Sequence, residues 1–183
     1  MHAGHDEAAL RGRRDASPAA WAAVTAFTAV AAWGAGLIQL ALGAGVLTAS
    51  DGGRAVGVPL VLLGSASIAW GAAALARGRV IAPRASVAGV LSGIAATAVA
   101  VWVDPARTSV IAAGAASLLL LAVGIVCGRA IRGRGTDAAP PRVGALLLAA
   151  VLVAGVVTPA LAATEAGRLG GGGHGVVQGG HAH

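Results

Sequence analysis

Apolar and polar positions along the chain alternate in five long apolar runs separated by short, arginine-bearing polar breaks. Each run is about 20 residues or longer, the length an α-helix needs to cross roughly 30 Å of hydrocarbon. The first is expected over about residues 18–48, opened by Ser17-Pro18, a hydroxyl cap followed by proline at the first helical position. The second is expected over about 55–76, with Pro59 in its first turns, where a missing N–H costs little. The third covers about 85–103. The fourth is expected over about 105–128, with Asp104-Pro105 as a second cap-plus-proline start. The fifth follows Pro140-Pro141 and covers about 143–163, with Thr158-Pro159 near its far end. The expected fold class is therefore an all-α integral membrane protein, a bundle of five transmembrane helices.

This pattern divides the chain into three parts. Residues 1–16 form a polar tail and residues 17–166 the five-helix domain. Residues 167–183 form a glycine- and histidine-rich tail without apolar period, expected to lack fixed structure. The first apolar run is too long for the roughly 7–15-residue core of a cleaved signal peptide and is expected to stay as a helix. At about 30 residues it also exceeds the bilayer, so it should tilt or lay its start around Trp21 in the interface.

Composition agrees. Hydrophobic residues make up 57% of the 183 and charged residues 11%, where soluble domains carry about a quarter. A chain so poor in charge cannot coat a globule with polar surface, which makes lipid its solvent. All thirteen basic residues are arginine, as a GC-rich coding sequence tends to give, and this points to an actinobacterial source. The closing segment TPALAATEAG with its histidine-bearing glycine tail resembles small actinobacterial membrane proteins, a resemblance that implies no activity.

The formal charge of +6 does not indicate a nucleic-acid partner, because the arginines cluster beside apolar runs and no aromatic-interleaved basic face is present. Their distribution instead sets orientation. Arg11, Arg13, Arg14, Arg77, Arg79, Arg84, Arg129, Arg132, Arg134 and Arg142 fall on one side; Arg54, Arg107 and Arg168 fall on the other. Ten against three places the N-terminus in the cytoplasm and the C-terminus outside a cell membrane.

Hairpins one and two align at an offset of 53 residues. Asp51 and Arg54 match Asp104 and Arg107, Arg79 matches Arg132, and Ala35-Gly36 matches Ala88-Gly89. The relation is either a parallel repeat or the chance alignment of Ala/Gly-rich helices whose outer turns use Asp and Arg. Close packing is expected from Gly89 and Gly93, Gly124 and Gly128, and Ser67 and Gly71, each pair four residues apart. Trp21, Trp70 and Trp102 are expected near the interfaces and Trp33 inside the bundle. Gln39, the most polar residue deep in a span, is expected to form an interhelical hydrogen bond, or else to line a polar pocket. Cys127, the lone cysteine, reads as a buried inert thiol.

Ionisable side chains are missing from the middle of all five runs, which argues against a proton-coupled carrier, pump or voltage sensor. No Ser/His/Asp set, phosphate loop or HExxH helix is present, so an enzyme is not expected. One metal-binding candidate remains. His174, His181 and His183 on the outer tail offer imidazoles suited to Cu(II), Ni(II) or Zn(II), with Glu165, Asp51 and Asp104 on the same face. His2 and His5 beside Asp6 and Glu7 are a weaker inner counterpart. The bland readings compete: glycine-histidine tails bind metal weakly without purpose, and Asp51 and Asp104 pair with Arg54 and Arg107.

Three functions are compatible with these residues. The first is an accessory or scaffold subunit of an envelope complex, partnered by lipid and other membrane subunits. The second is capture of a divalent transition metal by the outer tail. The third is a pore or carrier for a small neutral solute, which requires a polar cavity around Gln39.

Overall fold

The computed structural model describes residues 18–47, 53–103, 105, 108–132 and 143–164. Five helices are present among them: α1 Pro18–Leu47, α2 Gly53–Arg77, α3 Pro83–Val103, α4 Val110–Ile131 and α5 Val143–Ala162. All five are long and apolar enough to cross a membrane, and the protein is an all-α, multi-pass membrane bundle. The 30 residues of α1 amount to about 45 Å, half as long again as the hydrocarbon layer.

Four of the expected spans agree with these helices to within two residues at each described end; the fourth does not. Its helix begins at Val110 rather than at Asp104-Pro105. α3 ends at Val103, so a helix from residue 105 would leave almost nothing to reverse the chain, and helix–helix connections ordinarily take about 2–8 residues. Pro105 lies in a turn instead. Ser109 is the cap, its side chain accepting a 3.3 Å bond from the N–H of Ala112. Thr108 donates its hydroxyl to the Ala100 carbonyl at 3.1 Å, tying the turn to the last helical turn of α3.

The turn between α2 and α3 is closed in a similar way. The Trp70 indole N–H and the Ser86 hydroxyl both donate to the Ile81 carbonyl, at 2.9 and 3.1 Å. Gly78 reverses the chain with φ 60°, and Pro83 starts α3 from the favourable first position.

The centre of the bundle is α1, which packs against α2, α4 and α5. In its apolar stretch 56% of residues are buried and in α4 50%, against 22% in each of α2, α3 and α5. The α1/α2 interface explains how α1 sits so deep. Ala29, Gly36 and Gly43 recur every seven residues on α1, and Gly57, Gly64 and Gly71 recur every seven on α2. The two helices run antiparallel, so these rows meet in register. A Cβ on Gly36 would fall 2.6 Å from the Gly64 carbonyl oxygen, and one on Gly64 2.7 Å from that of Gly36. The same holds further along, where a Cβ on Gly57 would lie 2.9 Å from the Gly43 oxygen and one on Gly71 2.8 Å from the Ala29 oxygen. The two backbones are in direct contact, with room for nothing larger than glycine at the crossing. On its other side α1 uses Gly34 to admit Val153 and Val157 of α5 and Leu119 of α4.

This seam is not where the four-residue spacings place it. Gly89 and Gly128 would carry a Cβ with nothing within 4 Å, so neither belongs to a helix contact within the chain. Gly93 does, against Gln39 and Leu120; Gly124 approaches Val90; Gly71 belongs to the α1/α2 seam. The 53-residue relation is equally partial. Hairpins α1/α2 and α3/α4 follow one another with the same sense, but Gly36 is locked against Gly64 whereas its counterpart Gly89 faces open space.

Candidate functional site, an apolar cleft with an arginine rim

Polar side chains within the described spans are mostly committed to the backbone. Thr28, Ser65, Thr97 and Ser117 each donate to the carbonyl four residues earlier, at 2.7–2.8 Å. This back-bonding satisfies a hydroxyl inside lipid without any other helix. Trp33 lies at the α1/α2 seam as expected for an interior residue, its indole N–H donating to the Ile68 carbonyl at 2.9 Å. Trp102, by contrast, is 88% exposed at the end of α3, the position of an interfacial ring. Cys127 is free and buried.

Gln39 is the exception. It is completely buried near the middle of α1, and neither its amide nitrogen nor its amide oxygen has a hydrogen-bond partner in the protein. The interhelical hydrogen bond expected of it is not formed. The side chain reaches α3 where Gly93 leaves space, and a Cβ on Gly93 would stand 2.8 Å from Nε2. Gly93 stands beside it on α3, and the carbonyl of Gly93 already accepts from Thr97. The polar pocket that a neutral-solute pathway needs does not surround this residue: the amide is fully enclosed, and neither cavity described below is lined by it.

The larger cavity, about 540 Å³, opens between the start of α1, the end of α4 and the start of α5. α4 and α5 touch only sparsely, which leaves the cleft between them. Its walls are apolar: Val24 and Phe27 of α1, Val126 of α4, and Leu148, Ala149 and Leu152 of α5. Trp21 and Arg129 line it as well, and Arg129 is its one charged residue. Both lie within a turn or so of helix ends, on the same side of the bundle as Arg77, Arg79, Arg84 and Arg132. A smaller cavity of about 260 Å³ lies between α2 and α3, lined by Ser67, Trp70, Ser86 and Gly89 among apolar neighbours. The hydroxyl of Ser86 and the indole N–H of Trp70 are both occupied by the turn carbonyls, so this space offers little hydrogen bonding to a guest.

The metal-ligand candidates His174, His181 and His183, with Glu165, Asp51 and Asp104, lie outside the described residues, as do His2, His5, Asp6 and Glu7. Every histidine and every acidic residue of the chain does so. Among the described residues no group of three or more His, Cys, Asp or Glu side chains gathers. The cleft was not foreseen from the sequence. Its only sequence signal is Arg129 inside the last turn of an apolar helix, three residues before Arg132.

No protein-family model, curated protein or solved structure matches the chain.

Proposed function

We propose that this protein is a non-enzymatic membrane subunit, an accessory or scaffold component of a larger envelope complex in the cell membrane. Its N-terminus lies in the cytoplasm and its C-terminus outside. The observation that carries the reading is a group of helix glycines that meet no other helix of the chain. Gly89 on α3, Gly114 and Gly128 on α4, and Gly144 and Gly155 on α5 have nothing within 4 Å of where a Cβ would be. Glycine inside a helix is about 1 kcal/mol less favourable than alanine, and these five gain no packing within the chain in return. Backbone-level approach of a helix from another chain gives them a use, as it does for the glycines of the α1/α2 seam. The internal polar chemistry supports the same reading, since the hydroxyls and indole N–H groups described above are bonded within the fold.

Photo-crosslinking in native membranes tests this. A benzophenone amino acid at Gly155 or Gly89 is expected to give one discrete adduct with a membrane protein of constant identity, while the same probe at exposed Leu62 of α2, a helix with none of these glycines, gives much less. Adducts with lipid alone at all three positions would contradict an accessory role.

A further inference from the structure

We propose that the cleft between α1, α4 and α5 is a binding site for an anionic phospholipid, with one acyl chain between the helices and the phosphate on Arg129. The site is built by this chain alone and needs no partner subunit. The cleft has two chemically distinct ends. Its mouth is set by Trp21, Ala145 and Arg129, all at helix termini, and its depth by Phe27, Val126 and Leu152. Six residues separate Trp21 from Phe27 and seven separate Ala145 from Leu152, so the apolar slot extends about 10 Å from the mouth into the hydrocarbon layer. That is the layout of a lipid: charge at the polar boundary, then a run of apolar surface beneath it.

Charge decides which lipid. Arg129 is the only charged residue among those lining the cleft, and none of the others is acidic. A zwitterionic headgroup brings its own cation to a site that already holds one, whereas an anionic headgroup leaves its phosphate free for the guanidinium, which can bind two oxygens at once. Basic pockets between transmembrane helices on the cytoplasmic side favour anionic headgroups for this reason. Trp21 beside it supplies the amphipathic ring that suits the headgroup boundary. The walls explain why the site is a slot and not merely a charged surface. Ala20, Ala23, Ala145 and Ala149 keep the helices' facing sides low, and the sparse contact between α4 and α5 leaves the slot open to the bilayer.

Native mass spectrometry of the full chain, stripped of lipid in a non-ionic detergent, tests the assignment. The probes are phosphatidylglycerol and phosphatidylcholine with identical acyl chains. The first phosphatidylglycerol is expected to bind at least about tenfold more tightly than phosphatidylcholine, a difference of about 1.4 kcal/mol. Arg129→Gln should bring the two within about twofold. Arg132→Gln, which removes a charge from the same face outside the cleft, should leave the preference intact. Ala145→Leu, which narrows the slot without touching the charge, should weaken both lipids. Equal binding of the two lipids by the unaltered protein would overturn the proposal. So would equal losses from Arg129→Gln and Arg132→Gln, which would mean a diffuse charged surface. Undiminished binding by the Ala145→Leu protein would overturn it too, by placing the lipid outside the slot.

Discussion

Gln39 shows how far one side chain can depart from the rule that polar groups inside a bilayer are bonded. The threonines and serines around it follow the rule, each closing on a carbonyl of its own helix. A glutamine is too long to do so easily, and its amide extends to α3, where Gly93 makes room but offers no free partner. Leaving a buried amide without hydrogen bonds costs roughly 1–3 kcal/mol. Replacing Gln39 with methionine keeps the volume and removes the orphaned groups. The Gln39→Met protein should therefore unfold at higher denaturant activity than the parent, by about 1–2 kcal/mol in mixed-micelle titrations. A loss of stability of similar size would mean that the amide is bonded in the membrane. The position of Gln39 in the interior was legible in the sequence, because a lone polar residue deep in a span seldom faces lipid. Its lack of a partner was not, since that depends on which residue of α3 stands opposite.

The helices themselves were the most legible level, because each carries an unbroken apolar run long enough to cross the hydrocarbon layer. What sequence reasoning missed was which residues lock them. It favoured glycines four apart, the spacing of a right-handed crossing, and so singled out Gly89 with Gly93 and Gly124 with Gly128. The α1/α2 seam instead uses a seven-residue recurrence on both helices, the period of a left-handed antiparallel pair. That recurrence is present at Ala29, Gly36, Gly43 and at Gly57, Gly64, Gly71, but it becomes a signal only when the two helices are read together. The distinction yields opposite expectations for the same substitution. Gly36→Ala pushes a methyl against the Gly64 carbonyl, which cannot yield without moving α2, and should cost about 1–3 kcal/mol. Gly89→Ala meets open space and should be neutral or stabilise the protein by up to about 1 kcal/mol. Thermal stability of the two variants in dodecyl maltoside checks this; equal losses would remove the seam from the account. The start of α4 was misplaced for a related reason. A cap-and-proline signature was present at Asp104-Pro105, but reversal of the chain took precedence over it and handed the cap to Ser109.

For the whole molecule, five membrane-crossing helices, being odd in number, would put the two ends of the bundle on opposite sides of the membrane. Among the described arginines, Arg77, Arg79, Arg84, Arg129 and Arg132 gather at one end of the bundle and Arg54 lies at the other. In the orientation proposed above, that asymmetry would put the cleft mouth, with Arg129 and Trp21, on the cytoplasmic side. The five-span topology underlies both the accessory role and the lipid site, and paired reporters measure it most directly. Alkaline phosphatase, active only outside the cytoplasm, and green fluorescent protein, fluorescent only within it, are each fused after His183 and after Arg132. The phosphatase should be active at His183 and silent at Arg132, with fluorescence showing the reverse. Fluorescence at both sites, placing Arg132 and the C-terminus on one side, would contradict the account.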